Sequence, residues 1–187
     1  MLIKGVVFLD NSPALQLIII LILLALSAFF SSSETALTTV SHLKLRSLAD
    51  DGNKKAKKVL KVTENSSKLL SAILVGNNIV NISASALATT FCTNMFGSKY
   101  IGISTGILTF LVLIFGEISP KTLATQYALQ LSMVVVYPIS WLMTILTPVI
   151  FLLNILTGVI FKLFRVDPSA KKASITEAEL RTIVNVS

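Results

Sequence analysis

The sequence predicts an all-α membrane protein with three transmembrane helices, one re-entrant or kinked apolar element, and short amphipathic helices on the cytoplasmic side. Three observations predict it. Of 187 residues, 53% are hydrophobic and only 13% are charged, against about 25% charged in a soluble domain. The mean hydropathy is +0.81, more than one soluble core could hide. The 16 Lys and Arg are clustered, eight between Lys44 and Lys68 and five at or after Lys162. Basic clusters beside apolar segments mark cytoplasmic loops. A basic chain can also mark nucleic-acid binding, but no nucleic-acid motif accompanies these residues and no such partner is expected.

Residues 13–33 form the first predicted helix, around the run "LQLIIILILLALSAFF". They are long enough for the ~20-residue span a bilayer requires. Pro13 suits a first helical turn. Lys4 is the sole early basic residue, and Asp10 and Pro13 precede the run. The segment is therefore a retained span and not a cleaved leader.

Residues 40–67 are polar and basic, with two short helical patterns flanking Gly52. Val40, Leu43, Leu45 and Leu48 form one apolar stripe, and Ala56, Val59, Leu60 and Val62 another. These are two amphipathic helices against the inner membrane face. The N-terminus is then outside. The basic segment can meet anionic lipid or a cytoplasmic domain, and the sequence leaves both open.

Residues 68–92 form a second, unusually polar apolar segment, followed by the turn "CTNMFGSK". Residues 100–124 are the third and residues 129–164 the fourth, the last with Pro138 and Pro148 inside it. The basic C-terminal stretch is also expected to be cytoplasmic, so an even number of full crossings separates it from the basic loop. Three apolar segments lie between them, so one must enter and leave on the same side. Thr176 followed by Glu179 reads as a capping box. Residues 1–165 are thus the transmembrane domain, and residues 166–187 the start of a cytoplasmic linker helix cut short before further domains.

The chain has one cysteine, Cys92, and one histidine, His42. That excludes an internal disulfide and a Cys/His zinc site. His42 reads as a surface residue and Cys92 as a small apolar filler. With His42 in the basic loop and no Asp pair at membrane depth, no intramembrane protease is expected, and no enzyme of any class.

Three polar clusters interrupt the apolar sequence: "FFSSSETA", "VGNNIVNISAS" and "FGEISPKT". Asn77 and Asn81 share a helix face, and Asn78 neighbours Asn81. Glu117 is an intramembrane carboxylate, which is costly and by default functional. Pro120 disturbs the turn around it and frees backbone carbonyls. Lys121 caps the broken end or pairs with a carboxylate. Ser31, Ser32 and Ser33 supply hydroxyl oxygens. One carboxylate with many neutral oxygens suits a hard cation, whether Mg2+, Ca2+, Mn2+ or Na+.

These motifs, with "ITEAELRTIV" after them, closely resemble the CorC-type magnesium transporters and their animal relatives, the cyclin M proteins. The resemblance covers nearly the whole chain, from Leu15 to about Val184. It implies a homodimer with three membrane helices per subunit and an inward-facing cavity that binds dehydrated Mg2+. It implies export of Mg2+ in exchange for Na+ by alternating access. It also implies a following cytoplasmic pair of CBS domains that bind ATP and regulate transport. By the same resemblance Ser31, Ser32, Ser33, Asn77, Asn78, Asn81 and Glu117 fall on the cation-site motifs, and Gly116 and Pro120 on the helix break. The alternative is a membrane Mg2+ sensor that regulates another transporter without passing the ion.

Overall fold

The computed structural model describes residues 12–163, and every regular element among them is helical. The expected capping box at Thr176 and Glu179, and the rest of the linker, lie outside the described residues. The chain divides into two compact units that part between Ile145 and Leu146.

In the first unit α1 (Pro13–Thr39) is central, packing against α4 (Ser66–Phe96), a π-helical segment (Val112–Ile118), α6 (Ser119–Gln126) and α7 (Ala128–Ile145). The helix runs six residues past the expected end at Ser33. Polar residues do not close it, because Thr38 Oγ1 donates to the Glu34 carbonyl and Thr39 Oγ1 to that of Thr35, at 2.8 and 2.7 Å. It ends where Val40 turns extended, with φ −61° and ψ 136°.

The two amphipathic helices are α2 (His42–Asp50) and α3 (Lys54–Thr63). Ser41 caps the first by accepting the Lys44 N–H, and Asn53 caps the second by accepting from Lys55 and Ala56. Gly52 joins them at φ +89°, a left-handed conformation that suits glycine. Ala56, Val59 and Val62 are buried as the stripe predicts, but Leu43 is 79% exposed. Leu43 and Leu45 stand two residues apart, about 200° around the helix, so they cannot both face inward. The core takes Leu45.

α4 runs unbroken through the polar segment. Thr89, Thr90 and Thr93 return their hydroxyls to the carbonyls of Ser85, Ala86 and Thr89. The expected turn at "CTNMFGSK" is therefore shorter than its sequence suggests, since Cys92 to Phe96 stay helical. Gly97, at φ +84°, makes the reversal. After a 3-10 turn at Ser98–Tyr100, α5 (Ile101–Leu111), the π segment and α6 form one long span that exposes mostly apolar side chains.

The break expected at Gly116, Pro120 and Lys121 is not an interruption. An α-helix there would require a Pro120 N–H for the Gly116 carbonyl, and proline has none. The π segment changes the register, so that the Ser119 N–H reaches the Ile114 carbonyl five residues back. Pro120 then lies in the first turn of α6, where a missing N–H costs nothing.

The fourth apolar segment, expected over residues 129–164, is two helices. α7 keeps Pro138 inside it and packs on α3, α1 and α4. In the second unit α8 (Thr147–Leu163) begins with Pro148 at its second residue. Pro148 suits that first turn, and it cannot continue α7 because it has no N–H to donate to the Thr144 carbonyl.

Four helical stretches are long and apolar enough to cross a membrane: α1, α4, the α5–α6 span and α7. α1 and α4 approach closely at Phe30 and Gly76: a Cβ on Gly76 would stand 2.9 Å from the Phe30 ring and 3.4 Å from Leu142.

 Gly76→Ala should destabilise the fold by about 1–3 kcal/mol through overpacking. A thermal-unfolding series in detergent tests this, with Phe30→Leu expected to restore most of the loss in the double variant.

Candidate functional site

α1 and α4 run antiparallel, and they meet at the polar residues. Ser27 Oγ donates to Asn77 Oδ1 at 3.4 Å. From the third side the π segment closes in, since a Cβ on Gly116 would lie 2.9 Å from Ser27 Oγ. Three elements that are distant in sequence thus converge on one serine, which is 1% exposed. Glu117 follows Gly116 directly and is half-buried.

Ser27 is the residue that the sequence reading missed. A single serine in an apolar run reads as a tolerated small residue. The available signal was its spacing, four residues before Ser31 and so on the same face of α1.

The expected site residues separate into groups. Ser31 and Ser33 are buried, and neither hydroxyl has a hydrogen-bond partner. They are two residues apart and face different sides of α1, and Ser31 is the one in line with Ser27. Ser32 is half-buried and returns its hydroxyl to the Phe29 carbonyl at 3.1 Å. On α4, Asn77 faces Ser27, while Asn78 is exposed. Asn81 Oδ1 is buried and without a partner.

Depth separates these oxygens further. Along the antiparallel pair, Ser31 lies one turn to one side of the Ser27–Asn77 contact and Asn81 one turn to the other. At 1.5 Å per residue they are about 12 Å apart in axial rise, too far to share one ion's inner shell, where ligands sit about 2.1 Å from Mg2+.

Lys121 pairs with a carboxylate, as one of its expected roles has it, and the partner is Glu34, at 3.6 Å. Among the described residues no three His, Cys, Asp or Glu side chains come together to hold a metal. A cation here would meet serine and asparagine oxygens and the Glu117 carboxylate. A cavity of about 390 Å3 between α1, α4 and α5 is a different environment, lined by apolar residues such as Leu17, Ile20, Phe91 and Ile107, with Cys92 among them. It offers no carboxylate.

The family of cyclin M transmembrane N-terminal domains matches residues 18–187. The UPF0053 protein of Haemophilus influenzae is 45% identical over 143 residues, which cover 71% of this chain and 34% of that protein. The UPF0053 inner membrane protein YfjD of Escherichia coli is 44% identical over 115 residues, 62% of this chain and 26% of its own length. The UPF0053 protein YhdP of Bacillus subtilis is 30% identical over 187 residues, 92% of this chain and 42% of its own. The chain thus spans less than half of each of these relatives.

The fit of Gly116 against Ser27 is directly testable. Gly116→Ala should cost about 1–3 kcal/mol by crowding the Ser27 hydroxyl. Adding Ser27→Gly should recover at least half of that loss, read as the melting temperature in detergent.

Proposed function

This chain belongs to the cyclin M transmembrane domain family, and on that premise we propose that it is the membrane domain of a Mg2+ transporter that exports Mg2+ in exchange for Na+. The observation that carries the reading is the buried Ser31 hydroxyl without a hydrogen-bond partner, one turn from the Ser27–Asn77–Gly116 convergence and on the face of α1 that leads to it. An unsatisfied buried hydroxyl costs about 1–3 kcal/mol. A cation ligated by that oxygen offsets the cost.

In this reading Mg2+ enters from the cytoplasmic end of α1, drawn by the Glu117 carboxylate. Ser31, Ser27 and Asn77 replace part of its hydration, and water keeps the remaining positions. A single carboxylate favours release, since a site with several would hold a divalent ion too tightly to pass it. Asn81, one turn beyond, receives the ion on the outward side. Oxygens at several depths favour passage over a static sensor. The π segment is the place where the α5–α6 span changes register between inward- and outward-facing states.

The topology follows. α2 and α3 lie at the cytoplasmic face, the N-terminus is outside, and α7 is the re-entrant element because it packs on α3. The homodimer and the regulatory CBS domains belong to the same reading.

Efflux of Mg2+ from liposomes holding the full-length protein, with and without a Na+ gradient, tests the proposal. Glu117→Gln should lower flux at least about tenfold, the loss of one interaction of ~1.4 kcal/mol or more. Ser31→Ala should raise the Mg2+ concentration for half-maximal flux about fivefold, and Ser32→Ala should change it by less than about twofold. No flux in the wild type, with Mg2+ still bound, would make the protein a sensor.

A further inference from the structure

The α2–α3 hairpin carries charge that nothing in the described chain answers. Between Lys44 and Lys68 eight basic residues stand against Asp50, Asp51 and Glu64. Among the described residues the ion pair is Glu34–Lys121, so none of the eight is neutralised by contact. Four of the five lysines of α3 share a face, and Lys55 lies apart from them. At 100° per residue, Lys54, Lys57, Lys58 and Lys61 fall on an arc of about 100°. Ala56, Val59, Val62 and Thr63 are buried on the other side, where α3 packs on α2 and α7. Lys54, Lys57 and Lys61 are exposed and Lys58 is half-exposed.

The chain fixes where this hairpin lies. Only Val40 and Ser41 join α1 to α2, and only Glu64 and Asn65 join α3 to α4. Two residues reach about 7 Å, so the hairpin is tied at both ends to membrane-spanning helices and stays at the bilayer surface. Leu43, 79% exposed on α2, adds an apolar side chain left largely uncovered among the described residues.

We propose that the lysine face of α3 docks anionic phospholipid headgroups of the adjoining leaflet, with Lys54, Lys57, Lys58 and Lys61 binding the lipid phosphates. Headgroups are within lysine reach of a helix held at the surface, whereas an acidic protein partner would have to be brought there. The proposal is independent of which ion crosses the membrane. Each lysine near an anionic surface is worth about fivefold in affinity.

Native mass spectrometry of the detergent-purified full chain, titrated with phosphatidylglycerol and with phosphatidylcholine, tests it. The wild type should prefer phosphatidylglycerol. Replacing all four lysines by glutamine should weaken that binding at least tenfold and leave phosphatidylcholine unchanged. Replacement by arginine, which keeps the charge, should preserve the preference and shows that the fold tolerates substitution. Equal binding of the two lipids, or undiminished phosphatidylglycerol binding by the glutamine variant, overturns the proposal. So does cross-linking of these lysines to acidic residues of a protein segment in the presence of phosphatidylglycerol.

Discussion

The approach of Gly116 to Ser27 is the constraint on which the rest of the site depends. Ser27 can meet both Asn77 and the π segment only because position 116 has no side chain. Any larger residue would push the α5–α6 span off α1, and Glu117 with it. In a bilayer, polar groups cannot fall back on water, so the three elements must bring their polar atoms to one another. Ser27 and Asn77 do so. Ser31, Ser33 and Asn81 do not, and their unmatched oxygens mark where the structure gives up hydrogen bonding.

The π segment and Pro120 form one device. Proline inside a membrane helix would ordinarily leave a carbonyl without its donor. Here the register changes before the proline is reached, and α6 starts afresh with Pro120 in its first turn. The span stays helical while its middle turn is widened, and single π turns of this kind recur at functional sites. Gly116 is the buried residue of that segment, so the widened turn is also the part that meets α1.

Much of this was legible in the sequence, and the failures have physical causes. The helices α2 and α3 follow from charge, the two apolar stripes, and Gly52 between them. The spans follow from apolar runs. Helix ends were misplaced where threonines satisfy their hydroxyls on helix carbonyls one turn back and so need not close the helix, as at Thr38, Thr39 and Thr93. The asparagines were found as a cluster, but spacing alone does not say which face of α4 meets α1. That is why Asn77 and Asn78 looked equivalent and are not. Ser27 was hidden because its partners come from α4 and the π segment, and the Glu34–Lys121 pair because its members lie at opposite ends of the motif set.

That ion pair bears on the charge of the site more than on stability. Both side chains are more than 40% exposed, and a pair of that kind contributes at most about 1 kcal/mol. Its consequence is where it leaves the lysine. Had Lys121 turned back one helical turn to Glu117, the only carboxylate beside Gly116 would be neutralised by its own chain. Held instead by Glu34 at the end of α1, Lys121 leaves Glu117 without an ion-pair partner among the described residues. The Glu117 carboxylate is then not claimed by the lysine of its own helix, and α6 is tethered to α1 at Glu34 by a weak link.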